Sequence, residues 1–169
     1  MIFETERLCV RKMNMADIDD MYEYLSDAEN VRFMTFPVYK SKAELGKWMQ
    51  DTISKHGDEP APAVITLKDG GKVIGTLNFK ERANRRREIG YILNPKFHGK
   101  AYMTEAVTGV IEYIKSKNLA DEIYARVDPK NKASERVLQK VGMKLKGRWD
   151  GETNPQNDGS TPELILYEV

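Results

Sequence analysis

The stretch Glu88 to Ala106, EIGYILNPKFHGKAYMTEA, has residue types and an order suited to holding a phosphorylated ligand. An apolar run from Ile89 to Leu93 stops at Asn94-Pro95, and a short loop with His98, Gly99 and Lys100 leads into an amphipathic helix. At a helix start the first N–H groups have no intrahelical partners and the dipole favours negative charge. A strand, a basic glycine-containing loop and a helix N-terminus therefore make an anion cradle. A second segment, Asn131 to Met143 (NKASERVLQKVGM), puts an N-cap residue and a serine hydroxyl at the start of another helix that follows another strand. A ligand lying against both helix starts and both strand ends would touch the two segments at once. Simple capping, with Asn131 bonding the Ser134 amide, accounts for the second segment equally well.

The elements that must position these residues are readable from periodicity. Thr5 to Met13 reads as a strand, and Asn14 with Asp17 opens a helix whose apolar face is Ile18, Met21, Tyr22 and Leu25. Asp27 to Tyr39 is aromatic-rich without a clean period. Ser41-Lys42-Ala43-Glu44 is a capping box before a helix with Leu45, Trp48, Met49 and Ile53 on one face, and His56-Gly57-Asp58-Glu59-Pro60 breaks it. His56 reads as surface. Ala63 to Leu67 and Lys72 to Phe79 flank the hairpin signal Asp69-Gly70-Gly71, and Glu88 to Leu93 is the next strand. A helix with Ala106, Val107, Val110, Ile111 and Ile114 inward closes near Asn118, and Glu122 to Val127 alternates as a strand. The helix from Asn131 ends at Gly142, the residue type expected just past a helix end. Met143 to Trp149 and Glu163 to Val169 then form a closing hairpin around the loop Asp150 to Pro162. No repeat or linker interrupts this order, so residues 1–169 read as one α/β domain with more strands than a purely parallel plan allows.

Bulk properties exclude several classes. Lys+Arg 27 against Asp+Glu 26 gives a formal net charge of +1, so there is no electrostatic case for nucleic acid or an anionic membrane. No apolar run approaches the ~20 residues of a membrane span, and the acids of MIFETERL do not suit a signal peptide. The chain reads as soluble and cytoplasmic. Cys9 is the only cysteine, which rules out an internal disulfide or a cysteine-based zinc site, and no metal is expected. The basic run Asn84-Arg85-Arg86-Arg87 reads as a solvated hairpin tip, with contact to an acidic partner as the alternative. Neither a P-loop nor a Gly-x-Gly-x-x-Gly fingerprint is present.

Further short motifs stand in order along nearly the whole chain. They are Glu4-Thr5-Glu6-Arg7-Leu8 with Arg11, Gly75 in Val73-Ile74-Gly75, and Glu88-Ile89-Gly90-Tyr91. After them come Gly99-Lys100-x-Tyr102-Met103-Thr104-Glu105-Ala106 and the Asn131 to Met143 segment. Taken together they resemble the GNAT acetyltransferases, the acetyl-coenzyme A-dependent N-acetyltransferase superfamily. More closely, they resemble the branch that includes ribosomal-protein N-terminal acetyltransferases. The resemblance implies a mixed α/β fold with a mostly antiparallel sheet of about six or seven strands flanked by about four helices. It also implies acetyl-CoA as the acetyl donor, a primary amine as acceptor (a protein N-terminus or a small molecule), and an enzyme. Family members are often dimers; the sequence leaves a homodimer open.

The implied cofactor contacts fall on His98, Gly99, Lys100, Ala101, Tyr102 and Met103 for the pyrophosphate. His98 stands where the family usually has Arg or Gln, and Ala101 replaces a favoured glycine, which is tolerable with a negative φ. Tyr91, Ile92 and Leu93 would pair with pantetheine at a family bulge that frees an amide, that of Leu93, for the thioester carbonyl. Asn131 matches a residue that touches the pantetheine arm. The usual tyrosine that protonates the leaving sulfur is replaced by Leu138, and Ser134 matches a serine that takes over near the sulfur. Glu88 aligns with a glutamate that serves as base; partnership with an arginine of the nearby basic run explains it as well. Glu163 is a weaker second base. Asp27 to Tyr39 and the loop Asp150 to Pro162 would wall the acceptor site, with Asp150, Glu152 and Asp158 attracting a cationic amine. Ala101 and Leu138 favour the competing reading, a non-catalytic acyl-CoA-binding or interaction module on the same fold.

Overall fold

Gly70 and Gly71, at φ +77° and +69°, make the tight turn that joins Ala63–Leu67 (β3) to Val73–Arg82 (β4), as the sequence predicts. This hairpin lies near the centre of a computed structural model that describes residues 1–56, 62–151, 153–157 and 159–169, with residue 56 described for its backbone alone. The proposed helix breaker after His56, and the acids Glu152 and Asp158, lie outside the described residues.

The other elements are Phe3–Glu4 (β1), Leu8–Lys12 (β2), Ile18–Leu25 (α1), Lys42–His56 (α2), Arg86–Leu93 (β5), Tyr102–Ser116 (α3), Glu122–Val127 (β6), Lys132–Lys140 (α4), Lys144–Arg148 (β7) and Ile165–Glu168 (β8). The strands form one eight-stranded sheet in the order β1-β2-β3-β4-β5-β6-β8-β7. All neighbours are antiparallel except β5 and β6. The mixed sheet with four α-helices is the predicted architecture, with one strand more than expected. That strand is β1, because the expected single strand from Thr5 to Met13 is broken by a turn. Thr5 N–H bonds Leu8 O at 2.9 Å, and Phe3 pairs back with Val10.

Helices cover both faces. Met21, Tyr24 and Leu25 of α1 and Leu45 and Met49 of α2 pack on one face against Val64, Val73 and Ile92. Ala106, Val107, Val110, Ile111 and Ile114 of α3 and Leu138 of α4 pack on the other, against Ile65, Leu77, Ile89, Ile123 and Ala125. Even-numbered residues of β5 thus face α1 and α2, and odd-numbered ones face α3 and α4. Capping follows the sequence. Asn14 accepts from Ala16 N–H and Asp17 from Asn14 N–H, each at 2.9 Å. Ser41 Oγ accepts from Glu44 N–H at 3.2 Å.

The basic run is the exposed hairpin tip that the sequence suggested at Asn84 and Arg85, and only Arg86 and Arg87 turn inward. Asn84 and Arg85 turn the β4–β5 hairpin at φ +61° and +53°, but the arginines are engaged within the fold. Arg85 pairs with Asp121 at 3.0 Å and Arg86 with Glu122 at 2.5 Å. Arg87 donates to Phe79 O at 2.9 Å and Leu119 O at 3.2 Å. Two acids at the start of β6, Asp121 and Glu122, and two backbone carbonyls take up the three guanidinium groups.

Candidate active site

Two strands and the two helices that follow them build the site. β5 and β6 pair only over Arg86–Glu122, Arg87–Ile123 and Glu88–Tyr124, then part. β6 turns its other edge to β8, from Tyr124–Glu168 to Val127–Ile165. A gap therefore opens beside Ile89 to Leu93, at the carboxyl ends of the two parallel strands, where open α/β sheets place ligands.

The backbone facing this gap is unpaired by construction. β4 and β5 stay in register without interruption from Gly75–Leu93 to Arg82–Arg86, so the bulge expected around Tyr91 to Leu93 is absent. Asn94 N–H donates to Ile74 O at 2.8 Å. Alternation along an antiparallel ladder then turns the N–H and C=O groups of Leu93 and Tyr91, and the C=O of Ile89, away from β4 and into the gap, while the Ile89 N–H closes the last bridge to β6. Divergence of β6 frees the Leu93 amide that a bulge was expected to free. Gly75 permits the close ladder, because a Cβ there would lie 2.5 Å from Ile92 O.

The loop after β5 is held in place by its neighbours. Asn94 is buried, accepts from Lys96 N–H at 3.1 Å and donates to Glu23 at 3.1 Å. A His98 ring nitrogen lies 3.3 Å from Leu93 O, which ties the imidazole to the strand end. Gly99 and Ala101 both sit in the left-handed region, at φ +77° and +61°. The negative φ supposed for Ala101 is not found: α3 must start at an angle that needs a left-handed residue, and alanine bears the strain that glycine would avoid. Ala101 stands at the N-cap of α3 and gives it no side-chain cap. The amides of Tyr102 and Met103 are thus without a capping side chain, and Lys100 Nζ lies over the Phe97 ring, 5.6 Å from its centroid. These groups fit a diphosphate.

At the start of α4, Asn131 Oδ1 accepts from Ser134 N–H at 3.1 Å, which is the capping arrangement weighed from sequence. Its Nδ2 remains available to a ligand in the cavity that Asn131 lines. Ser134 Oγ donates to the Tyr91 hydroxyl at 3.0 Å, and that hydroxyl donates to Ser134 O at 3.1 Å. The pair spans the gap between β5 and α4. Burial pushes the Tyr91 phenol up, only partly offset by the Ser134 hydrogen bond, so it remains a proton donor at neutral pH. Sequence reasoning named Tyr91 for its backbone and missed its hydroxyl. Leu138, buried in the core, takes no part.

The cavity that Tyr91, Asn131 and Ser134 line, about 360 Å³, continues through the gap to the other face of the sheet, where Thr76, Asn78, Lys80 and Arg82 of β4, Gly90 and Ile92 of β5, and Arg126 of β6 border it. Glu88 is on its wall, between two guanidinium groups. Arg82 Nε donates to Oε2 at 2.9 Å, and Arg126 Nε donates to Oε1 at 2.7 Å. Glu88 does have arginine partners, although they come from β4 and β6 and not from the basic run. The segments 33–36 and 153–154 also line the cavity, clasped by Asn157 Nδ2 donating to Val31 O at 2.7 Å and Phe36 O at 2.9 Å. Asp150 is exposed and is not among the lining residues. Glu163 lies 2.9 Å from Arg148, at the surface. Among the described residues no cluster of His, Cys, Asp and Glu could hold a metal ion, and no helix is long and apolar enough to cross a membrane.

Comparison with known proteins agrees with this geometry. A family model described as an acetyltransferase (GNAT) domain matches residues 7–144. The uncharacterized N-acetyltransferase p20 of Bacillus licheniformis is 33% identical over 148 residues, 85% of this chain and 82% of that protein. A GNAT-family acetyltransferase from Bacillus anthracis superposes with a TM-score of 0.84 at 23% identity, covering 98% of this chain and 96% of that one. The ribosomal-protein-S5-alanine acetyltransferase of Vibrio fischeri superposes at 0.76 with 24% identity, covering 99% and 94%. A spermidine N-acetyltransferase from Vibrio cholerae, solved with CoA and spermine, also reaches 0.76, at 18% identity over 98% and 96%. The family match runs through the parting strands, the loop between Leu93 and α3, and the α4 start, so the chain belongs to the GNAT family of N-acetyltransferases and is an acyltransferase.

Proposed function

We propose that the protein transfers an acetyl group from acetyl-CoA directly to a primary amine, without an acyl-enzyme, the amine being that of a protein N-terminus or of a small molecule. The observation that carries this reading is the gap between β5 and β6, with outward-facing amides on one side and the Tyr91–Ser134 hydroxyl pair across it. Acetyl-CoA supplies an activated acyl group whose carbon–sulfur bond breaks as the carbon–nitrogen bond forms. The His98 amide is spent on Pro95 O at 3.1 Å, contrary to the sequence expectation, so the amides from Gly99 to Met103, with Lys100, bind the diphosphate, and the uncapped α3 start adds its dipole. The backbone of Tyr91 to Leu93 and the Asn131 side chain align the arm. The Leu93 N–H donates to the thioester oxygen, where negative charge develops. Ser134 Oγ–H, held beside the Tyr91 hydroxyl, turns to hydrogen-bond the departing sulfur, and the thiolate takes its proton from water. Glu88 takes the amine proton through a water molecule, since direct contact would displace a guanidinium.

Thiol release measured across amines and N-terminal peptides tests the reading. Ser134→Ala should lower kcat by about 10²-fold, the low end for proton-transfer groups, with little change in acetyl-CoA affinity. A large affinity loss with normal turnover would remove Ser134 from this role. Tight acetyl-CoA binding with no release from any acceptor would overturn acetyl transfer in favour of a non-catalytic acyl-CoA-binding module.

A further inference from the structure

We infer that the cavity-facing row Asn78, Lys80 and Arg82 on β4 is an acceptor subsite for a primary amine that also carries an anionic group, a carboxylate or a phosphate. The inference rests on the acetyl-transfer reading above. Asn78 Oδ1 is buried and has no hydrogen-bond partner, yet Asn78 lines the cavity. A buried acceptor left unsatisfied is costly, and a ligand N–H entering the cavity removes that cost. Asn78 is paired with Gly90, where an added Cβ would meet nothing within 4 Å. The open space over Gly90 lies beside the Asn78 side chain, one residue along β5 from Tyr91.

Charge sets the second half of the recognition. Lys80, exposed in the cavity wall, forms no ion pair among the described residues. Among the described residues the charged lining is Lys80, Arg82 and Arg126 against Glu88 and Asp128, a surplus of one positive charge. Glu88 already faces two guanidinium groups, and Asp128 Oδ1 accepts from Lys130 N–H at 2.7 Å. Asp128 is buried, so beside Lys80 a second ammonium group would meet only Glu88, already paired with two guanidinium groups, whereas an anion would meet Lys80 and the rim of Arg82. Alternate residues of a strand stand about 7 Å apart on one face. The amine at Asn78 and the anionic group at Lys80 are therefore separated by a short spacer that points the amine toward the β5–β6 gap.

Thiol release with acetyl-CoA should be compared for aminobutanoate with a terminal amine, the matching aminobutyl phosphate, butylamine and diaminobutane, and for N-terminal peptides with Glu or Lys as second residue. The anionic members should exceed their neutral and cationic counterparts in kcat/KM by about tenfold or more, equivalent to ~1.4 kcal/mol. The ranking within them separates carboxylate from phosphate and peptide from small molecule. Lys80→Glu should abolish or reverse the preference while leaving the acetyl-CoA KM unchanged. Equal rates, a preference for diaminobutane, or a preference that survives Lys80→Glu would overturn the subsite while acetyl transfer still stands. If no amine is acetylated, titrating the same amines into CoA-loaded protein decides the matter, and failure of the anionic ones to bind overturns the subsite independently.

Discussion

Arg7 and Glu105 are joined across 98 residues by a double contact, Arg7 N–H to Oε1 at 2.8 Å and Arg7 Nε to Oε2 at 2.6 Å. The Thr5 hydroxyl adds a third bond to Oε1 at 2.6 Å, and Arg7 Nη1 donates to Lys100 O at 3.2 Å. The turn that splits β1 from β2 is therefore fastened both to the first turn of α3 and to the loop before it. Burial pushes the Glu105 carboxyl up, but the bonds from Thr5 and Arg7 outweigh it and hold it below the ordinary 4.5. Between the two values the unfolded chain binds the proton more readily, so this stabilisation is complete above pH 4.5 and is lost as the pH falls through the folded-state value. Glu105→Gln should flatten that acid limb and cost about 1–2 kcal/mol at neutral pH, with Arg7 partly exposed. It should also weaken CoA binding by about tenfold, through a loosened loop. Thermal melts against pH and CoA titration check this; an unaltered CoA affinity would show that the fastening is structural alone.

Ala101→Gly follows from the φ of +61° at the N-cap of α3. A left-handed alanine carries about 1–2 kcal/mol of strain, against which the extra freedom of glycine in the unfolded chain takes back about 0.5–1 kcal/mol. The net gain should be several tenths to about 1 kcal/mol, raising Tm by about 2–4 °C at most. Coenzyme A affinity should hold or improve. A fall in Tm would mean that the backbone relaxes to negative φ in solution.

The elements around the site were legible where a local pattern decides them. The Asp69-Gly70-Gly71 hairpin, the inward face of α3 and the Asn131 cap all rest on residues within a few positions of each other. What stayed hidden depends on contacts between distant strands. Thr5, Arg7 and Glu105 were recognisable only as pieces of a motif, because their bond spans most of the chain. An arginine partner for Glu88 was foreseen, but from the adjacent basic run; only the pairing of distant strands brings Arg82 of β4 and Arg126 of β6 to its two oxygens. The Tyr91 hydroxyl could have been flagged, since strand alternation puts its side chain opposite to that of Gly90, on the face that α4 covers. The β5 bulge was a borrowed expectation, and the parting of β6 from β5 serves the same end without it.

Glu88→Gln separates a base from a brace. As a base acting through water, Glu88 should give the variant a kcat/KM at least about 10²-fold lower. As a brace, its loss leaves Arg82 and Arg126 without their shared carboxylate. The cost would then be about 1–2 kcal/mol in Tm measurements, discounted because Arg82 is 46% exposed. Under the first role the melting temperature moves little relative to activity. Under the second, activity recovers at low temperature where the fold is intact.

Gly90 is the position at which the cavity can be closed without disturbing the sheet. Its φ does not require glycine, and an added Cβ meets nothing within 4 Å. β5 tolerates a β-branched residue there by propensity, since valine suits a strand. Gly90→Val should fold with a Tm equal to or slightly above that of the parent chain. Its side chain would project over Asn78, into the space that the acceptor amine must enter. The backbone groups that meet the pantetheine arm lie on the edge of β5, not on this face. Coenzyme A binding by calorimetry should therefore be unchanged, while the acceptor KM rises by about tenfold or more, the effect of ~1.4 kcal/mol of lost binding. An unchanged acceptor KM would place the amine elsewhere, and a parallel loss of CoA affinity would show that the two faces of β5 are not independent.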